Sequence, residues 1–163
     1  MNAAQKFFIE CIKHGIKNQQ VLEIPKDIDY KQLYNLCIEH STSVIVFKAL
    51  ESLHKALPQN FYLALQTTAY RHVVQDVQGE HDKNEFLLKM EECNLKHMPL
   101  KGYILKKLYP VSEMRYTSDC DVLIDLAQIK QVRALVKSLG WKIPHEDTLL
   151  LLTHFSVRLC ATP

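Results

Sequence analysis

Apolar residues recur at helical spacing through the first half of the chain. From Ala3 to Ile16 they stand three and four positions apart, which predicts an amphipathic helix whose end is weakened by Gly15. A loop rich in Asn and Gln separates this helix from a second one, predicted over Tyr30 to His40. Ser41 or Thr42 is the expected cap of a third helix.

The longest predicted helix begins at Pro58, a residue that suits a first helical turn, and runs as far as Cys93. Its polar middle, residues 79–85, is expected to be exposed or to mark a kink. Four apolar residues stand at four-residue spacing along it: Leu65, Ala69, Val73 and Val77. The chain before residue 96 is therefore predicted to be a bundle of helices.

The pattern changes after residue 96. His97 to Gly102 predicts a short strand that ends in a tight turn, and Tyr103 to Tyr109 predicts one or two turns of helix, which Pro110 ends. After a loop, the β-forming residues from Val122 to Ile124 predict a second strand.

Three further elements are predicted towards the end of the chain. Leu126 to Leu139 carries the apolar stripe of an amphipathic helix, and Gly140 is its natural stop. Trp141 to Ile143 is a predicted strand, and His154 to Leu159 is another, which contains no acidic residue.

Composition indicates one modest globular protein without extreme charge. The chain has 163 residues, and its 47% hydrophobic content excludes a disordered chain. The net charge of +2 gives no strong nucleic-acid signal. Apolar runs are far below the roughly 18 residues that span a bilayer, so no membrane association is predicted. The five cysteines show no Cys-x-x-Cys spacing, and the first 15 residues do not form a secretory signal. We therefore expect reduced, mostly buried thiols in a cytoplasmic protein.

The second predicted strand opens with two aspartates that are separated by one residue. Alternate residues of a strand point to the same face, so Asp119 and Asp121 project their carboxylates together. Hard cations such as Mg²⁺ take one or two carboxylates together with substrate phosphates. An acidic turn ahead of a buried strand is the alternative explanation of the same residues, because Ser-Asp pairs are common in turns.

Residues ahead of these aspartates suit a phosphate group. Gly102 at a turn lets a phosphate approach the backbone, and the start of the following helix favours negative charge. Lys101 and Arg115 can neutralise the same phosphates. Taken singly, Gly102 is an ordinary strand-to-helix turn and Arg115 a solvated loop residue, so the combination carries the prediction.

Together these residues resemble the polymerase-β-type nucleotidyltransferase superfamily, and more closely its group of uncharacterised bacterial nucleotidyltransferases. That group has a Leu-Lys-Gly turn, a short helix, an Arg and an Asp-x-Asp strand. The pattern is met here by Leu100, Lys101, Gly102, Arg115, Asp119, Asp121, Leu123 and Ile124. The resemblance covers about residues 85–143 and, more loosely, the helical region before them. It implies Mg²⁺ bound by Asp119 and Asp121, which would be catalytic, and a nucleoside triphosphate bound by Lys101, Gly102, Arg115 and Ser118.

The sequence departs from the superfamily pattern in its acidic residues. Members usually have another carboxylate on a later strand, whereas Glu146 and Asp147 read here as helix N-terminal charges. Cys120 also replaces the usual larger aliphatic residue between the aspartates, a mild substitution. We therefore expect weak Mg²⁺-nucleotide binding with slow or no turnover, and a catalytic domain that is incomplete at its C-terminal end, as a fragment or a naturally short protein.

The predicted fold is α+β: an N-terminal helical bundle over residues 1–96, followed by a small nucleotidyltransferase-like mixed sheet with flanking helices over residues 97–163. The leading functional hypothesis is Mg²⁺-dependent transfer of a nucleotidyl group from a nucleoside triphosphate to an unknown acceptor. A non-catalytic partner-binding module with the same fold is the alternative. A glycosyltransferase also uses Asp-x-Asp, but it needs a larger strand-helix domain before the motif.

Overall fold

The computed structural model describes residues 1–100, 102–115, 119–141 and 154–158, with residues 119 and 154–158 described as backbone. Their contacts group them into two units. The first unit contains residues 1–75 and 106–115, and the second contains residues 76–100, 102–105, 119–141 and 154–158. The division at residues 96 and 97 into a helical and a catalytic region stays a prediction. None of the described helices is both long enough and apolar enough to cross a membrane.

The first unit is built on three helices and the first part of a fourth. They are α1 (Ala3–Ile16), α2 (Tyr30–Glu39), α3 (Ser43–Leu50) and α4 (Gln59–Glu92). A capping box between Asn2 and Gln5 begins α1, and the Asp29 carboxylate accepts from the Gln32 backbone N–H at the start of α2. Of the two predicted caps of α3, Ser41 and Thr42, the structure has Thr42 as the N-cap. The Thr42 side chain makes no capping hydrogen bond.

Close contact between α1 and α3 depends on Gly15. A Cβ atom at this position would lie 2.5 Å from the carbonyl oxygen of Ile45 and 2.6 Å from its Cγ2 atom. The sequence identified Gly15 only as a residue that weakens the end of α1. In the structure, its missing side chain is what lets the two helices approach.

The fourth helix is continuous from Gln59 to Glu92, and no break interrupts its polar middle. Phe61, Leu65 and Ala69 are buried in the first core. Val77, the last of the four apolar residues at four-residue spacing, is 54% exposed. Residues four apart on a helix drift by about 40° per step, which carries a strict four-residue series off the buried face after three steps.

The second unit packs helices against a three-stranded antiparallel sheet. Its strands are β1 (His97–Pro99), β2 (Asp119–Ile124) and β3 (His154–Arg158), in the order β1-β2-β3. Helix α5 (Gly102–Leu105) follows β1. Helix α6 (Ile129–Ser138) follows β2, after a 3-10 turn over Leu126–Gln128. The core joins Phe86, Leu87 and Met90 of α4 to apolar residues of β2 and α6. The α+β fold class is thereby confirmed, and each strand pair described here is antiparallel.

Several local predictions can be compared with these elements. The predicted C-terminal strand is present as β3, where it pairs with β2. The short helix predicted over Tyr103 to Tyr109 starts one residue earlier, and its second half is a 3-10 helix over Lys106–Leu108. Gly140 follows α6 with φ +76°, the left-handed conformation expected at a helix stop. Of the predicted strand Trp141 to Ile143, residues 142 and 143 lie outside the described part of the chain.

Candidate functional site

The aspartate pair lies on the central strand of the sheet. Cys120, Val122 and Ile124 of β2 are buried in the second core, with 2%, 0% and 7% of their surface exposed. Asp121 and Leu123 alternate with them and are half-buried. Asp119 occupies the equivalent alternate position two residues before Asp121. The predicted strand is thus confirmed, and the burial of Cys120 explains why a small apolar side chain suits the position between the aspartates.

Both neighbouring strands fix the position of this pair. In the register with β3, Asp119 pairs with Arg158 and Asp121 pairs with Ser156. On the other side, the Leu100 backbone N–H donates to the Asp121 carbonyl oxygen at 2.8 Å. Since consecutive Cα atoms are 3.8 Å apart, Gly102 begins α5 within about 8 Å of Leu100 along the chain. The Gly102 turn and Asp121 therefore lie in the same part of the second unit, and α5 contacts β2.

Tyr103 anchors the helix that follows the Gly102 turn. Its hydroxyl donates to Asn84 Oδ1 of α4 at 2.7 Å, and its ring packs against the second core. The sequence gives no signal for this role, since a single tyrosine after a turn has no distinctive pattern. Its effect is to hold α5, a helix of four residues, in place beside β2.

The acid at the opposite end of β2 has a structural role. The Asp125 carboxylate accepts from the Ala127 backbone N–H at 3.0 Å and lies 3.6 Å from Lys96 Nζ. It therefore caps the turn that leads into α6. Among the described side chains, no group of three or more His, Cys, Asp and Glu residues is placed to hold a metal ion. Glu146 and Asp147 lie outside the described residues.

Arg115 belongs to the first unit. It follows the 3-10 helix over Ser112–Met114, and its backbone N–H donates to the Ser112 carbonyl oxygen at 3.1 Å. Met114 is buried in the first core, which anchors this turn. The guanidinium Nε is buried and has no hydrogen-bond partner in the described structure. Two further predicted site residues, Lys101 and Ser118, are outside the described part of the chain.

Comparison with known families accounts for most of the chain. Residues 26–156 match the family model described as "Uncharacterised nucleotidyltransferase". The chain belongs to this nucleotidyltransferase family. The match begins well before residue 85, where the clearest part of the resemblance begins, and it includes most of the helical first unit. Neither curated proteins nor solved structures give a significant match.

Membership confirms the nucleotidyltransferase resemblance but assigns no individual residue. The structure brings together the Gly102 turn, its Tyr103 anchor and the strand of the two aspartates, all within the second unit. The roles of Asp119, Asp121, Lys101, Gly102, Arg115 and Ser118 stay predictions. The same holds for Mg²⁺ and for the nucleotide.

Proposed function

We propose that this protein transfers a nucleotidyl group from a nucleoside triphosphate to an acceptor, with Asp119 and Asp121 as its Mg²⁺ ligands. The supporting observation is the alternation along β2, where buried apolar residues alternate with the positions of the aspartates. A strand that packs one set of alternate residues into a core leaves the other set for the opposite face. Two carboxylates at alternate positions suit a hard divalent cation.

Each protein group has a defined task in this proposal. Asp119 and Asp121 hold the metal, and the Gly102 turn lets the triphosphate approach the backbone. Mg²⁺ held by these carboxylates would neutralise charge on the triphosphate during an in-line displacement, in which an acceptor hydroxyl oxygen bonds to the α-phosphorus, the bond to the β-phosphate breaks and pyrophosphate leaves. Arg115 is proposed to neutralise phosphate charge, as the resemblance to the family implies for its basic side chain.

Nucleotide binding is the first test of this proposal. We expect a nonhydrolysable nucleoside triphosphate to bind in the presence of Mg²⁺, and Asp119→Asn with Asp121→Asn to abolish that binding. Circular dichroism should show an intact fold.

Asp125→Asn is the matched control for this experiment. It also neutralises an acid that follows β2, but its carboxylate is used as a cap and in an ion pair. We expect it to retain Mg²⁺-dependent nucleotide binding and to lose some stability. Equal loss of binding in both variants would contradict the assignment of the metal ligands to Asp119 and Asp121.

Transfer is tested separately with nucleotides labelled at the α-phosphate and a mixed pool of protein, metabolite, sugar-phosphate and RNA acceptors. Labelling that disappears in the double Asn variant supports the proposal, and the labelled product identifies the acceptor class. Nucleotide binding without labelling would favour the non-catalytic module. Labelling of equal strength in the wild type and the double variant would refute the proposed site.

A further inference from the structure

The sheet face that carries the aspartates continues along β1 and β2 with an apolar pair. Met98 of β1 lies directly opposite Leu123 of β2 in the register, and opposite residues of an antiparallel pair share one face. Leu123 alternates with buried residues of β2, as Asp121 does two positions earlier. Met98 and Leu123 therefore lie on the aspartate face, next to Asp121.

An ion pair beyond the apolar pair supports this assignment of the face. Lys96 precedes Met98 by two residues, and its carbonyl oxygen accepts from the Asp125 backbone N–H at 3.4 Å. Asp125 follows Leu123 by two residues, and its Oδ2 atom lies 3.6 Å from Lys96 Nζ. Since alternate residues of a strand point to one face, this contact continues the face of Met98 and Leu123. The Lys96 side chain is 80% exposed, so its ammonium group is accessible.

The aspartate face thus has three levels in order along β2. The first is Asp121, the second is the apolar pair of Met98 and Leu123, and the third is the charged pair of Lys96 and Asp125. Successive levels are two residues apart, which is about 7 Å. The apolar level is open, because Met98 is 51% exposed and Leu123 is half-buried. An open apolar surface beside the proposed metal site suits an apolar part of a substrate.

The direction of the proposed reaction decides which substrate this surface contacts. In an in-line displacement, the attacking oxygen and the leaving pyrophosphate lie on opposite sides of the α-phosphorus. Along the chain, Met98 precedes Leu100 and the Gly102 turn, proposed to receive the triphosphate, follows it. Because the Leu100 backbone N–H donates to the Asp121 carbonyl oxygen, Met98 and the turn lie on opposite sides of the Asp121 level. With pyrophosphate at the Gly102 turn, the acceptor approaches over Met98 and Leu123.

We propose that the acceptor is a tyrosine side chain of a protein, whose phenolic hydroxyl receives the nucleotidyl group. A tyrosine residue presents a hydroxyl, an aromatic ring and a peptide group in the same order as the three levels. Met98 suits the ring, because its flexible thioether makes favourable contacts with aromatic rings. The Lys96 ammonium group suits the peptide, because it can donate to a carbonyl oxygen. This inference rests on the proposed function and names its acceptor.

The transfer step balances with the groups already named. The phenolic oxygen bonds to the α-phosphorus, its proton passes to solvent water, and the bond to the β-phosphate breaks to release pyrophosphate. A serine hydroxyl at the same place would bring its peptide groups onto Met98 and Leu123, whose side chains offer them no hydrogen bond. The phosphate groups of RNA or of a sugar phosphate would meet the same apolar surface.

Two small acceptors with the same backbone test this inference on the full chain. They are N-acetyl-tyrosinamide and N-acetyl-serinamide, each supplied with Mg²⁺ and a nucleoside triphosphate labelled at the α-phosphate. We expect kcat/KM for the tyrosine compound to exceed that for the serine compound about 10-fold or more. Met98→Gln replaces an apolar contact with a polar side chain of similar length. It should raise KM for the tyrosine compound about 10-fold, without a matching change for the serine compound or in nucleotide affinity.

Leu88→Gln is the matched control for Met98→Gln. Leu88 is also exposed, at 58%, but it lies on α4, which packs against the buried face of β2. We expect the KM of the wild type in this variant. Met98→Leu keeps the apolar surface and should raise KM for the tyrosine compound much less than Met98→Gln does.

Nucleotide binding separates a failure of this inference from a failure of the proposed function. If Mg²⁺-nucleotide did not bind, or bound equally after Asp119→Asn with Asp121→Asn, the proposed function would fail and the inference with it. If the nucleotide bound but the tyrosine compound were labelled no better than the serine compound, the inference alone would fail. Weaker nucleotide binding by Met98→Gln, with an unchanged KM for the tyrosine compound, would assign the apolar pair to the nucleobase and overturn the inference.

Discussion

Three of the cysteines in the described structure lie inside it. Cys11, Cys37 and Cys120 are buried, whereas Cys93 is exposed. Burial raises the pKa of the Cys37 thiol to about 12. Burial raises the pKa of the Cys11 thiol as well, and the neighbouring Cys37 and Glu10 add to this effect. The Cys11 and Cys37 thiols therefore remain protonated near neutral pH and pack as small apolar side chains.

The buried thiols predict that stability falls in alkali. The pKa of Cys37 is raised on folding, so its contribution is fully present below the ordinary value of 9.0 and is lost as pH rises towards about 12. Near pH 10, ionisation in the unfolded chain should cost about 1.4 kcal/mol per such thiol relative to pH 8. Urea denaturation at both pH values measures this loss. Cys37→Ala should lose about 1.4 kcal/mol less than the wild type between these pH values.

Cys93→Ala is the control for the alkaline experiment. Its thiol is exposed in the folded protein and therefore lies in water in both states. We expect this variant to show the wild-type difference in unfolding free energy between the two pH values. If Cys37→Ala lost as much unfolding free energy between the two pH values as the wild type, the buried thiol would not be the cause of the loss.

At the scale of elements, two glycines in helices have opposite surroundings. Gly15 faces the backbone of Ile45 at the contact between α1 and α3, whereas a Cβ atom at Gly79 of α4 would meet no atom within 4 Å. Helix propensity alone treats the two positions alike, because replacing Gly by Ala favours a helix by up to about 1 kcal/mol. Packing makes the two positions different, because only Gly15 has atoms within 4 Å of an added Cβ.

The substitutions Gly15→Ala and Gly79→Ala test this difference. Overpacking against the Ile45 backbone costs about 1–3 kcal/mol, so Gly15→Ala should lower the unfolding free energy despite its better helix propensity. Gly79→Ala should raise the unfolding free energy by about 0.5–1 kcal/mol, because it meets no obstacle. Chemical denaturation measures both. Stabilisation by Gly15→Ala would show that α1 and α3 adjust without cost.

At the scale of the whole molecule, α4 contributes side chains to both cores. Its N-terminal part supplies Phe61, Leu65 and Ala69 to the first core, and its C-terminal part supplies Phe86 and Met90 to the second. Because a helix propagates from residue to residue, the continuous backbone of α4 links the folding of the two units.

Gln75→Pro tests this link at an exposed position where the first unit ends. Proline removes one backbone hydrogen bond and clashes with the preceding turn, at a cost of about 3 kcal/mol or more. We expect the wild type to unfold thermally in one transition and Gln75→Pro to unfold in two. Gln75→Ala, which keeps the helix, should behave as the wild type. One shared transition in the proline variant would show that the units are coupled by other means.

The periodic pattern of the sequence was sufficient to predict most elements. The positions of α1, α2 and α4, the Asp-x-Asp strand, the C-terminal strand and the left-handed stop at Gly140 all follow from local spacing and backbone preference. The Asp-x-Asp pattern also led to the family, since the combination of Gly turn, Arg and strand is short and local. Local patterns did not determine the role of each residue within that site.

The sequence by itself thus determined the elements and the family, because both depend on residues that are close along the chain. The tertiary structure decided which faces those elements cover. It showed Gly15 at a helix contact, Val77 exposed on α4, Tyr103 as the anchor of α5 and Asp125 as a cap. The physical reason is that exposure and side-chain contacts depend on partners distant in sequence, so two residues in identical local patterns acquire different environments only when the chain has folded.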